Sequence, residues 1–272
     1  MKPSQFGYAR PANVEEAVRL LQEADGSAKV MAGGQSLGPL LNLRLAQPSL
    51  IIDITAIREL TLVREEKDAI VYGACVTHAS VEDRRVPDAT NGFLPSVAAG
   101  IAYRAVRNRG TMGGSLAHAD PAADWMTTLT ALGAEILVAG SAGERRVALD
   151  QFMTAPFSVA LEDSEFIIGI RIRRYSQAAR FGYFKFCRKR GEFAEAMGAV
   201  VIDPELGIRR GIIGATDSRP ILVPDMDACL RPSGEGIQAA KAMIAAMKIA
   251  DDPVRDGMHA NAFARALKQV AQ

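Results

Sequence analysis

"MAGGQSLGPLLNLRL", residues 31–45, sets two adjacent glycines, a glutamine and a serine ahead of an apolar run, with no charged residue from Ala32 to Asn42. Upstream, "KVMA" (29–32) reads as a short apolar strand. Downstream, Pro39 opens "PLLNLRLA", and proline suits a first helical turn because its missing N–H would have been unpaired there anyway. "SLIIDI" (49–54) is a second buried strand. "NVEEAVRLLQEA" (13–24) reads as an amphipathic helix, with Asn13 as its cap and Glu16 in the capping-box position. Val14, Ala17, Val18 and Leu21 share one face. The first sixty residues are therefore expected to run helix, strand, glycine turn, short helix, strand.

Beyond this unit, "ELTLVREE" and "AIVYGACV" form an expected antiparallel pair joined at Lys67-Asp68. Residues 78–108 read as mostly helical. "NRGTMGGSLAHADPAADW" follows, a second glycine turn and then a helix start, with Asp120 as expected N-cap and Pro121 as first helical residue. "AEILVAG" (134–140) and "EFIIGIRI" (165–172) read as strands. After about Tyr175 the texture changes to short β-runs, "FGYFKFC", "AVVI" and "GIRRGIIGA", which suggest an antiparallel sheet. Two helices, near 235–248 and 256–271, close the chain.

The composition narrows the function. The chain has 272 residues, 49% hydrophobic and 23% charged, with 32 basic and 31 acidic side chains. Such a balance gives no basic field for nucleic acid. No apolar run approaches the length a bilayer needs, and "MKPSQFGYARP" lacks the apolar core of a signal peptide, so a cytoplasmic location is expected. Cys75, Cys187 and Cys229 lie far apart and match no zinc or iron–sulfur spacing. With only His78, His118 and His259, a multi-histidine metal site is not expected. His118 with Asp120 is too small a set of ligands.

Four readings compete for the first glycine turn. It can be a tight strand-to-helix connection, with Ser36 as a cap. "GQSLG" (34–38) also matches the G-x-S-x-G of a hydrolase elbow, although only one strand precedes it and His259 falls inside an expected helix. Asp53 ends the next strand roughly twenty residues on, as the ribose-binding acid of a nicotinamide fold does, but the glycines run G-G-x-x-x-G. Finally, adjacent glycines and a helix start can present a concave row of N–H groups to the diphosphate of a flavin nucleotide. The second turn favours that last reading. "GTMGGSLAHADPAAD" (110–124) repeats the chemistry, with Gly113-Gly114 flanked by the hydroxyls of Thr111 and Ser115. Asp124 can accept hydrogen bonds from ribityl or ribose hydroxyls, or can simply be an acid favoured in a first helical turn.

At these two loops the sequence resembles a known family. "AGGQS" (32–36) and "TMGG" (111–114), with "DPAAD" downstream, are similar to the FAD-binding medium subunits of molybdenum hydroxylases, of the carbon monoxide dehydrogenase and xanthine dehydrogenase type. The resemblance covers essentially the whole chain. It implies an α+β fold: an FAD-binding domain over 1–176, in two parts of about 1–58 and 59–176, then a small domain of antiparallel sheet and helices over 177–272. By position, Val30, Met31, Ala32, Gly33, Gly34, Gln35, Ser36 and Leu37 would wrap the pyrophosphate, and Gly110, Thr111, Gly113, Gly114 and Ser115 would form the second loop. Ile101 would be a hydrophobic contact near the flavin, and Asp124 the hydroxyl-binding acid. Ile168 and Lys185 would line the FAD, with Tyr183 over the ring. Gln35 stands where a histidine is common; both donate a hydrogen bond, but only histidine titrates near neutrality.

The resemblance also implies partners. A large molybdopterin subunit would oxidise the substrate, a small [2Fe-2S] subunit would relay electrons, and this chain would hold FAD and pass electrons to an external acceptor, with a dimer of heterotrimers as the expected assembly. No metal site and no catalytic acid–base pair is expected here, because the cofactor carries the redox chemistry. The basic runs Arg171 to Arg174 and Arg188 to Arg190 are either partner contacts or a solvated face. The alternative function is a standalone FAD-dependent oxidoreductase of related fold with its own substrate pocket.

Overall fold

The computed structural model describes residues 2–232 and 234–271. Its first unit is a small parallel sheet. β1 (Gly7–Ala9), α1 (Val14–Ala24), β2 (Ala28–Met31), α2 (Leu37–Asn42) and β3 (Leu50–Asp53) follow in order, with β3 central and parallel to both neighbours. Asn13 caps α1 by accepting the Glu16 N–H at 2.9 Å. The Glu16 carboxylate reaches back one residue further than a capping box requires, accepting the Ala12 N–H at 2.8 Å. Ala17 and Leu21 are buried, with Ile52, Ile54 and Phe166 in the same cluster. Two expectations fail locally. Ser36 makes no side-chain cap, because its backbone is already helical, and Pro39 is the third residue of α2, not the first.

The second unit is an antiparallel sheet with helices packed on it. β4 (Val63–Glu65) and β5 (Ala69–Gly73) form the expected pair, though the first strand is short because residues 58–61 coil into a 3₁₀ turn. Then come α3 (His78–Glu82), α4 (Phe93–Ala99), α5 (Arg104–Arg107), α6 (Met112–His118), α7 (Asp124–Ala131), β6 (Glu135–Gly140), β7 (Gly143–Ala148), α8 (Leu149–Phe152), β8 (Met153–Ala155), β9 (Ser158–Val159) and β10 (Phe166–Arg173). The sheet order is β4-β5-β10-β6-β7, with β8 and β9 a separate hairpin. β7 escaped the sequence reading because it is an exposed, charged edge strand, "GERRVA".

The second glycine turn is also built differently from expectation. Gly113 and Gly114 lie inside the first turn of α6, and Thr111 is its N-cap, accepting the Gly114 N–H at 3.0 Å. Asp120 caps no helix. It closes a local turn by accepting the Ala122 N–H at 2.9 Å, and α7 begins at Asp124.

The third unit is the antiparallel sheet of β11 (Arg180–Phe186), β12 (Ala196–Asp203), β13 (Ile208–Gly214) and β14 (Ile221–Leu222) in sequential order. α9 (Met226–Cys229), α10 (Glu235–Met247) and α11 (Pro253–Val270) complete the chain. Phe263, Leu267 and Ile244 of these helices share a cluster with Val200, Ile202 and Ile213 of the sheet. Other residues of the same strands, Ala199, Val201 and Ile212, join a core that also holds Trp125, Met126 and Leu129 of α7 and Ile70 and Ile170 of the second sheet. α7 is buried along its whole length between the two sheets. The second and third units therefore share one continuous core, with α7 at its centre.

Candidate functional site

The first loop explains its glycines by what it touches. A Cβ at Gly33 would stand 1.9 Å from the carbonyl oxygen of Arg109 and 3.0 Å from the Cα of Gly110. The close approach is therefore between the two glycine loops themselves. Gly34 has φ of 71°, the left-handed conformation that glycine adopts without cost. Gly113 needs room for a third backbone, since its Cβ would lie 2.8 Å from the Cα and O of Ala74.

The donors of the two loops differ. Among the described residues, the backbone N–H groups of Gly33, Gly34, Gln35, Ser36 and Leu37 donate to no protein acceptor. Desolvating such a row is costly unless water or an anion receives it. In the second loop the Gly110, Met112, Gly113 and Ser115 N–H groups go to Val106, Val76, Ala74 and Thr111 carbonyls, and Gly114 to the Thr111 hydroxyl. The second loop is thus mainly a packed wall. The Thr111 N–H, the Ser115 hydroxyl and the hydroxyl hydrogen of Thr111 are its remaining donors among the described residues.

Two side chains converge on one atom of the first loop. Gln35 Nε2 donates to the Gly33 carbonyl at 3.1 Å, and Arg109 Nε donates to the same oxygen at 3.3 Å. The sequence reading missed Arg109 because nothing in its local pattern shows that its side chain crosses to a loop 76 residues away. Val30, Ala32 and Ile168 pack against the same hydrophobic cluster.

A second focus forms at the start of α7. Asp124 is 5% exposed, and Lys185 Nζ donates to its two oxygens at 2.8 and 3.0 Å. Tyr183 Oη donates to Asp124 Oδ1 at 2.7 Å. These bonds occupy three of roughly four acceptor sites on the carboxylate. Burial pushes the Asp124 carboxyl above its ordinary range, and the Lys185 ammonium and Tyr183 hydroxyl oppose that shift. Burial and the adjacent Asp124 also hold the Tyr183 phenol far from ionising. Lys185 further donates to the Gly100 carbonyl at 3.1 Å, next to Ile101, which forms a bridge with Gly191. Asp124, Tyr183, Lys185 and Ile101 are thus brought into one neighbourhood by β11 lying across the N-terminus of α7.

Other candidates have structural partners. Asp53 accepts the Thr55 N–H and hydroxyl at 2.9 and 2.6 Å and the Tyr8 hydroxyl, so it is committed within the fold. His259 lies fully buried in α11 and neither ring nitrogen has a partner among the described residues, so it makes no hydrogen bond to a hydroxyl such as a hydrolase relay needs. Burial pushes the Cys75 thiol up to about 12 and the Cys229 thiol up to about 11, which keeps both unreactive. Of the first basic run, Arg171 pairs with Glu66, Asp68 and Glu135, and Arg174 with Glu65. In the second, Arg188 lies 3.7 Å from Glu192.

This geometry, two abutting glycine loops with an uncharged row of open N–H donors, has the chemistry to receive an anion such as a nucleotide diphosphate. Comparison with known proteins agrees. Residues 4–173 match the family described as the FAD binding domain in molybdopterin dehydrogenase, and the chain belongs to that family. It is similar to the nicotine 6-hydroxylase medium subunit of Paenarthrobacter nicotinovorans, 36% identical over 89% of this chain and 86% of that one. It is 38% identical to the carbon monoxide dehydrogenase medium chain of Hydrogenophaga pseudoflava, over 74% of this chain and 70% of that one. The structure of carbon monoxide dehydrogenase from the same organism superposes with a TM-score of 0.92 at 33% identity, covering 99% of this chain and 98% of that chain. The fold is the α+β fold of these flavin subunits, the cofactor is FAD, and the chain is the flavoprotein component of a molybdopterin-dependent oxidoreductase. Among the described residues no helix is long and apolar enough to cross a membrane, and no group of three or more His, Cys, Asp or Glu could hold a metal.

Proposed function

We propose that this chain is the electron-transfer subunit of a cytoplasmic molybdenum hydroxylase, taking electrons from a [2Fe-2S] subunit and passing them to an external acceptor. The observation that carries the reading is the open row of N–H groups from Gly33 to Leu37, in a stretch with no charged residue from Ala32 to Asn42. Those donors, aided by the Ser115 and Thr111 hydroxyls, would hold the FAD diphosphate. FAD supplies the redox chemistry when bound. The chain's own part is to orient the cofactor and exclude water from it. Ile101 and Ile168 would give it apolar walls. Lys185 and Tyr183 would hold Asp124 so that its remaining acceptor site meets a hydroxyl of the ribityl or ribose chain.

The same proposal includes the parts 1–58, 59–176 and 177–272, and a dimer of heterotrimers with a large molybdopterin subunit and a small [2Fe-2S] subunit. The sheet boundaries support the divisions, although the last falls within a shared core. The similarity to chains named medium subunits supports the partners. The test is to purify the tagged chain from its host, extract the nucleotide and identify what co-purifies. FAD with a molybdenum subunit and an iron–sulfur subunit is the expected result. FAD without partners would favour a standalone flavoenzyme, and intact partners without FAD would overturn the site.

A further inference from the structure

We propose that Gln35 and Arg109 are positioning residues for the FAD diphosphate, acting together through the Gly33 carbonyl. The proposal rests on the FAD-site reading above. The Gly33–Gly34 peptide is trans, as are all those described, so the Gly34 N–H points opposite to the Gly33 C=O. Whatever holds the carbonyl therefore aims the N–H. Two donors from two loops hold it, Gln35 Nε2 at 3.1 Å and Arg109 Nε at 3.3 Å.

The arrangement answers a specific difficulty. Gly33 and Gly34 have no side chains, and glycine peptides rotate more freely than any other. Without an external hold, the Gly34 N–H would sample many directions, and ordering it would be charged against binding. The backbone of Arg109 already blocks one side of Gly33 at 1.9 Å from its notional Cβ, and the Arg109 side chain completes the hold. Neither side chain is buried, so neither is needed to fill a core. Their common target is one carbonyl beside the open N–H row. Glutamine at position 35 supplies an N–H and does not titrate, so this hold does not depend on pH.

The test uses the tagged full chain, purified with whatever assembles on it, as Arg109→Met, Gln35→Leu, the double variant and Gln35→His. FAD affinity is read by release on dilution, and the bound diphosphate by ³¹P resonance positions. Each single loss should weaken FAD about three- to tenfold, the size of one hydrogen bond, and shift the bound ³¹P resonances. The double variant should weaken it by more than the product of the singles, because either donor alone can still hold the carbonyl. Gln35→His, which keeps an N–H donor, should retain wild-type affinity. A merely structural role would lower occupancy and leave the resonances of the remaining bound FAD in place. Unchanged affinity and unmoved resonances in the double variant would overturn the clamp. If the wild-type protein binds no FAD at all, the site reading itself fails.

Discussion

Gly33→Ala is the most direct probe of why the two loops meet. The added Cβ would start 1.9 Å from the Arg109 carbonyl oxygen, where real Cβ atoms essentially never come within 3.0 Å. The obstacle is backbone, so no rotamer change relieves it, and the loops must part by roughly 1 Å. Arg109 Nε, at 3.3 Å from the Gly33 oxygen, would then pass the limit of a useful hydrogen bond. Overpacking of this kind costs about 1–3 kcal/mol, and about 2 kcal/mol corresponds to a fall in Tm of roughly 4–8 °C for a chain of this size. The matched control is Gly38→Ala, because nothing lies within 4 Å of a Cβ there and the position is helical. Calorimetry should show the control at or above wild-type Tm, by up to about 1 kcal/mol, and Gly33→Ala well below it. The ratio of FAD to protein after gel filtration should fall in Gly33→Ala alone. An aspartate at position 33 would combine the clash with charge repulsion, so alanine separates the two. A Gly33→Ala protein with wild-type Tm and full FAD would refute the argument that loop-to-loop contact fixes this glycine.

Three further outcomes follow from the buried polar groups. Asp124→Asn leaves the Lys185 ammonium buried without its counter-charge, so chemical denaturation should show a loss of about 3–5 kcal/mol, and adding Lys185→Met should recover part of it; additive losses would mean the pair is not coupled. Burial, with Arg107 nearby, pulls the His78 pKa from 6.5 down to about 4, and Trp125 Nε1 donates to its Nδ1 at 3.0 Å. The unfolded chain takes up that proton below about pH 6.5 while the folded chain does not, so this stability is full above pH 6.5 and declines as pH falls toward 4, by about 3 kcal/mol. His78→Gln should flatten the difference between urea midpoints at pH 7 and pH 5, and an unaltered slope would sink the assignment. Thr127 Oγ1 is buried without a partner among the described residues, so Thr127→Val should be neutral or stabilise by about 1 kcal/mol, whereas a clear loss in thermal unfolding would reveal a partner for that hydroxyl.

The sequence was most legible where a single side chain decides a local event. Asn13 caps α1, Asp53 ends β3, and the alternation around Lys67-Asp68 makes a hairpin, all from neighbours a few residues apart. The glycine pairs were visible too, but their reason was not. Gly33 answers to Arg109, and Gly113 to Ala74, contacts that only the folded chain creates. Asp120 and Pro121 looked like a helix start because an Asx turn and an N-cap use the same residue types; the helix waits for Asp124, which β11 can reach. Tyr183 and Lys185 entered only by resemblance to a family, Asp124 also by its place after the second glycine turn, and their mutual hydrogen bonds had no trace in local spacing. β7 was invisible because an exposed edge strand need not alternate apolar and polar residues.

The brace at Asp124 bears on where this protein can be cut. The family match ends at residue 173, yet Tyr183 and Lys185, which neutralise and hold the buried carboxylate, lie past that point on β11. A fragment trimmed to residues 4–173 would strip one side from α7 and leave Asp124 with neither partner. The stretch that the family model matches is shorter than the stretch that must fold together. Anyone grafting the flavin-holding part of this chain into another protein, or swapping it between relatives, should carry the graft through the end of β13, so that the borrowed cradle arrives with its own floor.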